Sequence, residues 1–285
     1  MSQIFIENLS YTYGNDAYAL DQVSLIIQKG EMVGIMGRNG AGKSTLIQQL
    51  NGLLIPTSGT VFIDGISTEE YDPYELTKKI GIMFQNPEHQ LFCSSVEEEL
   101  DFSLKNLKIS KELKTQYKKS TIEKLELQKL LHKSPWNCSG GERKKVSIAC
   151  VLCRNPDVIV FDEPTLGQDK YGYQILDQIL MNAKNENKTT IVVTHNTEFA
   201  YTYLDRIIVL ERGKILADGP KEKILTNPVI LKNGSLVEPQ FSLFHKKINS
   251  TLSSQDILSS LVSNSRGFND LTENLLNHIG RHEHL

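Results

Sequence analysis

Apolar and polar residues alternate in short runs at residues 4–9, 23–27 and 32–36. A period of two predicts strands, and Tyr13-Gly14-Asn15-Asp16 and Lys29-Gly30 supply turns between them. A helix is expected from Lys43 to about Asn51-Gly52. Strands follow near 60–63 and 80–84, with Asp64-Gly65 turning the chain after the first. Between residues 96 and 131 the texture becomes charged with a 3.6-residue period, most clearly over 112–127, which predicts a helical insertion in an α/β chain. Another helix runs from Ser139 to Arg154 and breaks at Asn155-Pro156-Asp157. Residues 158–161 are continuously apolar, as expected of a strand covered on both faces. A helix over 170–185 and strands over 190–193 and 207–210 complete an alternation that predicts a parallel sheet with helices packed on it.

Past Asn227-Pro228 the pattern changes again. Residues 236–285 are rich in Ser, Asn and Leu, with helix-like stretches at 254–262 and 269–279 and candidate N-caps in Ser253-Ser254-Gln255-Asp256. A small helical appendage is the reading, with disorder as its alternative. No internal repeat of solenoid length is visible.

Composition narrows the class. The 285 residues are 39% hydrophobic and 23% charged, enough for one large core and an appendage or for two modest domains. A net charge of −3 gives no overall basic excess of the kind that marks nucleic-acid binding. No apolar run approaches a membrane span, and residues 1–7 lack the basic start and apolar stretch of a secretory signal. Membrane association is therefore expected only through a partner. Cys93, Cys138, Cys150 and Cys153 form no disulfide framework and fit a reducing compartment. Cys150 and Cys153 stand three apart on a predicted helix, and read as small buried residues in preference to metal ligands.

The candidate chemistry begins at Gly37-Arg38-Asn39-Gly40-Ala41-Gly42-Lys43-Ser44, between a strand and a helix. Glycines at this spacing let successive backbone N–H groups face an anion, and the helix adds its positive end. Lys43 then neutralises phosphate charge and the Ser44 hydroxyl ligates Mg²⁺ of a bound nucleotide. The strand at 158–161 delivers Asp162 and Glu163 at its C-terminal end, where open α/β sheets bind ligands. Asp162 suits Mg²⁺, held through water, and Glu163 suits the orienting of an attacking water. His195 follows the strand at 190–193 and is a candidate γ-phosphate contact that tethers Glu163. Cys138-Ser139-Gly140-Gly141-Glu142 makes a second helix N-terminus fit for an anion. Two such termini with one phosphate loop imply that the second completes a neighbouring subunit's site.

With these segments in this order, the chain resembles the ATP-binding subunits of ABC transporters over about residues 3–225. The resembling parts are the phosphate loop at 37–45 (Gly37, Arg38, Asn39, Gly40, Ala41, Gly42, Lys43, Ser44, Thr45), Gln85, and the signature Ser139, Gly140, Gly141, Glu142 after Cys138. The Asp162-Glu163 pair, a D-loop ending in Asp169, and His195 complete the set. The resemblance implies an α/β fold: a P-loop NTPase (RecA-like) core, an antiparallel β subdomain and an α-helical subdomain over about 86–155. The nucleotide-binding domain would then span 1–235 and a C-terminal helical extension, a candidate dimerisation element, 236–285. It further implies a head-to-tail dimer with two ATP molecules sandwiched between phosphate loop and signature. Tyr13 is similar to the aromatic that stacks on adenine. Gln85 is similar to the hinge residue that touches Mg²⁺ and reports nucleotide state to the membrane partner.

Within the family, Phe84-Gln85-Asn86-Pro87-Glu88-His89-Gln90-Leu91-Phe92 is similar to the Gln-loop of energy-coupling factor (ECF) and cobalt/nickel-type importers. That resemblance implies a transmembrane scaffold protein, a separate substrate-capture membrane protein for a vitamin or a metal ion, and a place on the cytoplasmic face of the membrane. Glu97-Glu98-Glu99 would either receive Arg from the scaffold or simply complement a helix N-terminus. Cys138 stands where Leu is usual, Glu142 where Gln is, Gln168 where Leu is and Asn196 where Asp is. Gln168 resembles the second of two non-identical cassettes, which favours a heterodimer. The competing class is a non-transport ABC ATPase acting on the ribosome or DNA. The single cassette and the short segment between Gln85 and Ser139 speak against it, and Glu163 speaks against a binder that does not hydrolyse. His278, His282 and His284 are read as a polar tail in preference to a metal site.

Overall fold

The computed structural model describes residues 2–14, 17–86, 88, 90–251, 260–262, 265–268 and 270–275. The turn at Asn15-Asp16, Pro87 and His89 of the Gln-loop, most of the stretch at 254–262, the caps at 253–256 and His278, His282 and His284 therefore lie outside the described residues. So do Asn269 and the end of the stretch at 269–279.

Strands β1 (Ser2–Thr12), β2 (Tyr18–Gln28), β4 (Ser58–Ile63) and β5 (Ile66–Ser67) form an antiparallel sheet in the order β2-β1-β4-β5. A six-stranded sheet has the order β10-β9-β3-β8-β7-β6. It comprises β3 (Met32–Met36), β6 (Ile80–Met83), β7 (Val158–Asp162), β8 (Thr189–Val193), β9 (Arg206–Glu211) and β10 (Lys214–Pro220). Its members run parallel except at the β9–β10 edge. Helix α1 (Lys43–Leu50) follows β3, and α2 (Pro73–Lys79) precedes β6. Helices α3 (Val96–Lys105), α4 (Lys111–Lys124) and α5 (Gly140–Leu152) fill the interval before β7. Then come α6 (Lys170–Asn185), α7 (Thr197–Tyr203), α8 (Lys221–Ile224), α9 (Pro228–Gly234) and α10 (Gln240–Thr251).

The strand period divides the core in two. Val33, Ile35, Val158, Val160, Ile191, Val193, Ile208 and Leu210 pack with α1 and the antiparallel sheet. Their neighbours Met32, Met36, Ile159, Phe161, Val192, Ile207 and Val209 point the other way, against the helices of the second half. Successive strand residues face opposite sides, so a continuous apolar run is what two covered faces require.

Several elements carried little sequence signal. β10 is a half-exposed edge strand that ends in Asp218-Gly219-Pro220, and α7, α8 and α9 have no more than seven residues each. The helix expected over 112–127 ends at Lys124, with Leu125 as its C-cap. In the extension, Phe241 is buried among Tyr201 and Phe268, and Val262 and Leu271 join the same core cluster as the sheet. Glu198 of α7 accepts from the N–H groups of Gln240 (2.7 Å) and Phe241 (3.1 Å), which anchors the start of α10. Among the described residues no helix is long and apolar enough to cross a membrane.

Candidate active site

The phosphate loop joins β3 to α1, and two of its glycines are dictated by close packing. Gly37 (φ +137°) lies against the Leu210 carbonyl and Gly42 (φ +102°) against the Ala19 carbonyl, so a Cβ at either would overlap backbone. Gly42 is also the N-cap of α1. That helix has no side-chain cap and no acid in its first turn, whereas Ser95, Ser110, Ser139 and Asp169 cap α3, α4, α5 and α6. Its leading N–H groups remain available to an anion. Lys43 is buried, and its Nζ donates to Gly37 O (2.8 Å) and Arg38 O (3.0 Å), which holds the ammonium over the loop. Ser44 is exposed and Thr45 buried.

Parallel pairing of β3, β8 and β7 brings their C-terminal ends together. Asp162 ends β7 opposite Val193, and Glu163 N–H donates to Val193 O at 2.9 Å. Glu163 adopts φ +50°, which takes its carboxylate off the strand direction. One oxygen, Oε2, accepts from Thr194 Oγ1 and His195 N–H, both at 3.4 Å. The other, Oε1, lies 3.4 Å from His195 Nε2 but is buried without a hydrogen bond, because that contact lacks hydrogen-bond geometry.

Burial pushes the Asp162 carboxyl up to about 6, with the Glu163 charge adding to it and Lys43 and His195 opposing. Burial likewise raises Glu163, against the His195 N–H hydrogen bond and Lys43. It lowers Lys43 against the pull of Glu163 and Asp162, and it lowers His195 with help from Lys43. Each group is driven toward its neutral form, so the charges do not satisfy one another. A carboxylate, an exposed hydroxyl and an orphaned buried oxygen beside a free helix N-terminus are a donor set that fits a polyanion with a hard divalent cation.

Tyr13 reaches this loop from the end of β1. Its Oη is 3.2 Å from Thr45 Oγ1, its ring is half exposed and it packs edge-on against Tyr11. Gln85 is exposed just past the C-terminal end of β6, beside β7. The remaining candidates lie elsewhere. Ser139 caps α5 in a capping box: its side chain accepts from Glu142 N–H (3.2 Å) while Glu142 Oε2 accepts from Ser139 N–H (2.8 Å). Asp169 caps α6 through Gly172 N–H at 2.8 Å. A cavity of about 290 Å³ is lined by Ser139, Gly141, Glu142, Gln168, Asp169 and Tyr171, and no phosphate-loop residue lines it. One chain thus presents two faces.

The acidic stretch serves helix α3 and the loop before it. Glu97 pairs with Lys118 (3.1 Å) and His132 (3.7 Å), and Glu98 accepts from Ser94 N–H. Glu99 is buried and accepts from the N–H groups of Phe92 and Cys93. It does not face outward to receive a partner's Arg. Burial pushes both thiols of the Cys150/Cys153 pair up, Cys153 to about 12, far from the reactive range. Sequence reasoning passed over Lys144, which is buried and donates to Glu163 O (3.1 Å) and Leu166 O (2.8 Å). Inside the run Arg143-Lys144-Lys145 it looks like any solvated helix charge, and nothing local distinguishes it.

Residues 20–166 match a family model described as ABC transporter. The chain is 37% identical over 251 residues to the energy-coupling factor transporter ATP-binding protein EcfA2 of Acetivibrio thermocellus, covering 86% of this chain and 89% of that one. The structure of cbiO1 from Clostridium perfringens, part of the ABC transporter complex cbiONQ, is similar with a TM-score of 0.72 and 29% identity. The match covers 88% of this chain and 96% of cbiO1. A dimeric ATP-binding cassette in a post-hydrolysis state, bound to ADP and Pi, is similar with a TM-score of 0.67 and 33% identity, over 76% of this chain and 98% of that one.

Proposed function

The chain belongs to the ABC transporter family as an ATP-binding, ATP-hydrolysing subunit, and from that premise we propose that it energises an ECF-type importer. It acts on the cytoplasmic face of the membrane, under a transmembrane scaffold protein that carries a substrate-capture protein for a vitamin or a metal ion. Its relatives named as ECF transporter ATP-binding proteins support that reading.

In this reading Gly37 to Thr45 and the N-terminus of α1 bind the phosphates, and Tyr13 stacks on adenine. Lys43 offsets the charge on the β- and γ-phosphates. Ser44, Asp162 and Gln85 would hold Mg²⁺, which supplies charge neutralisation at the phosphate oxygens. Glu163, made more basic by burial, orients a water and accepts its proton as the oxygen attacks the γ-phosphorus. The bond to the bridging oxygen breaks, and ADP and phosphate leave. His195, neutral near pH 7 because burial lowers it, steadies Glu163 and contacts the γ-phosphate.

The observation that carries the reading is the separation of the two faces: the hydrolytic charges converge at one, while Ser139, Gly141, Glu142 and Asp169 line the other. A head-to-tail pair would place each signature over its partner's phosphate loop, and Gln168 favours two non-identical cassettes. Turnover per molecule of purified protein should fall on dilution below the pairing affinity. Turnover that stays constant on dilution would rule out the shared site.

A further inference from the structure

Lys144 lies in the second turn of α5, yet its side chain is buried and its two hydrogen-bond acceptors are neutral backbone carbonyls. Burial therefore prevails over the attraction of Glu163 and brings its pKa down to about 8. A buried ammonium without a carboxylate against it is costly, and an apolar side chain of the same length would avoid that cost. The two acceptors, Glu163 O and Leu166 O, begin and end one turn, which Leu166 N–H also closes on Glu163 O at 3.3 Å. Glu163 enters that turn at φ +50°. This left-handed backbone is uncommon for a residue with a side chain, and it is what aims the carboxylate at Thr194 and His195. The same helical turn of α5 holds the Gln-loop, because Arg143 Nη1 bonds Glu88 at 2.7 Å.

We propose that Lys144 is a positioning residue for ATP hydrolysis: by bridging the Glu163 and Leu166 carbonyls it fixes the direction of the Glu163 carboxylate and makes that direction follow helix α5. The helix begins at Ser139, so engagement of the signature by the partner's nucleotide is transmitted to the water-orienting group of this chain's own site. The inference rests on the shared-site reading given above. It adds a physical link within one subunit between the two half-sites that this subunit contributes.

The test uses the full-length chain in four forms: Lys144→Met, Lys144→Arg, Glu163→Gln and the double variant Lys144→Met/Glu163→Gln. Steady-state and single-turnover ATP hydrolysis are measured with ATP affinity and thermal melting. Lys144→Met should lower kcat roughly 10- to 100-fold, the scale of a small misplacement of a reacting group, with KM for ATP within about twofold because the phosphate loop is untouched. Lys144→Arg, which keeps a charged donor, should recover most of the rate. If Lys144 acts through Glu163, the double variant should be no slower than Glu163→Gln alone.

A kcat for Lys144→Met within about twofold of the parent would overturn the proposal. So would a double variant slowed by the full factor of both changes, or an Arg variant as impaired as Met with its melting temperature lowered in parallel. Should Lys144→Met fail to fold, Lys144→Gln carries the same comparison. A parental rate in Glu163→Gln would overturn the hydrolytic reading together with this inference. A normal Glu163→Gln defect with an independent, additive Lys144 loss overturns this inference alone.

Discussion

The phosphate-loop face and the signature face are both helix N-termini with glycines at or beside the cap, yet the chain finishes them in opposite ways. At the first, Gly42 leaves α1 uncapped, and the buried Lys43 and Asp162 and the half-buried Glu163 lie around it with shifted protonation and an orphaned carboxylate oxygen. At the second, Ser139 and Glu142 cap α5 reciprocally, and Ser139, Gly140 and Gly141 are exposed. A site with unsatisfied buried charge holds free energy that a ligand of opposite sign releases. A self-capped terminus gains far less from an anion, because a carboxylate already occupies it. On the proposed reading, the first face binds nucleotide by itself, and the second becomes useful only when a nucleotide already held by another subunit is brought to it.

The strongest way to break this contrast is at Glu163. Glu163→Gln should keep ATP binding and lower turnover by roughly 10²–10⁴-fold, the range for losing a positioned base. The paired state should then accumulate with ATP, read as a dimer in size-exclusion chromatography. Near-parental turnover would remove Glu163 from the chemistry. Next in size is Ser139→Arg, which should cost roughly 10²-fold, the scale of losing a phosphate-directed donor, in the partner's site. Assayed in mixtures with a Lys43→Ala chain that cannot hydrolyse at its own loop, the pattern of complementation shows which subunit suffers. Loss confined to the loop of the Ser139→Arg chain itself would contradict the shared site.

Much of the first face was legible in the sequence because its chemistry is local. Residues 37–45 sit in one stretch, and Asp162 and Glu163 end an apolar run whose two covered faces the periodicity announces. Elements fixed by tertiary packing were not legible. α7 is seven residues long, and β10 is an edge strand with Gly219 and Pro220 in it, so neither has a period to read. Lys144 illustrates the limit most sharply. Its burial and its carbonyl partners depend on how α5 lies against the turn at 163–166, which no spacing encodes.

A smaller effect separates the faces by pH. In the nucleotide-free protein Asp162 titrates near 6, above the usual carboxylate range. The folded state therefore holds that proton more tightly than the unfolded chain does. The corresponding stability is present below the usual carboxylate range and is lost as pH rises through about 6. Asp162→Asn should remove this dependence. Relative to the parent, the variant should gain stability between pH 4 and 6.5, on the order of 1–2 kcal/mol after allowance for screening. By size scaling this corresponds to roughly 2–6 °C in melting temperature. The matching change on the signature face, Ser139→Ala, should lower the melting temperature at both ends of that range, with no step as pH rises through about 6. An Asp162→Asn profile parallel to the parent's would mean that the carboxylate is compensated and that the first face is not electrostatically unsatisfied.

The smallest effect is the most discriminating, because it predicts opposite signs for two readouts. Glu142 accepts from Ser139 N–H at 2.8 Å, lies 3.7 Å from Lys133, and is held below the usual carboxylate range by the Ser139 backbone hydrogen bond. It is therefore a negative charge on the positive end of α5, where it stabilises the free subunit and, on the shared-site reading, would repel an arriving phosphate. Glutamine at this position keeps the reciprocal cap but drops the charge. Glu142→Gln should lower stability by about 0.3–1 kcal/mol, the worth of one charge at a helix end. The same energy removed from the encounter should lower KM for ATP by roughly two- to fivefold. Both changes should fade as salt is raised toward 1 M, since the half-exposed Glu142 carboxylate is within reach of screening ions. A lower melting temperature with no gain in apparent affinity would place the phosphate somewhere other than the end of α5. The two faces would then not be halves of one site.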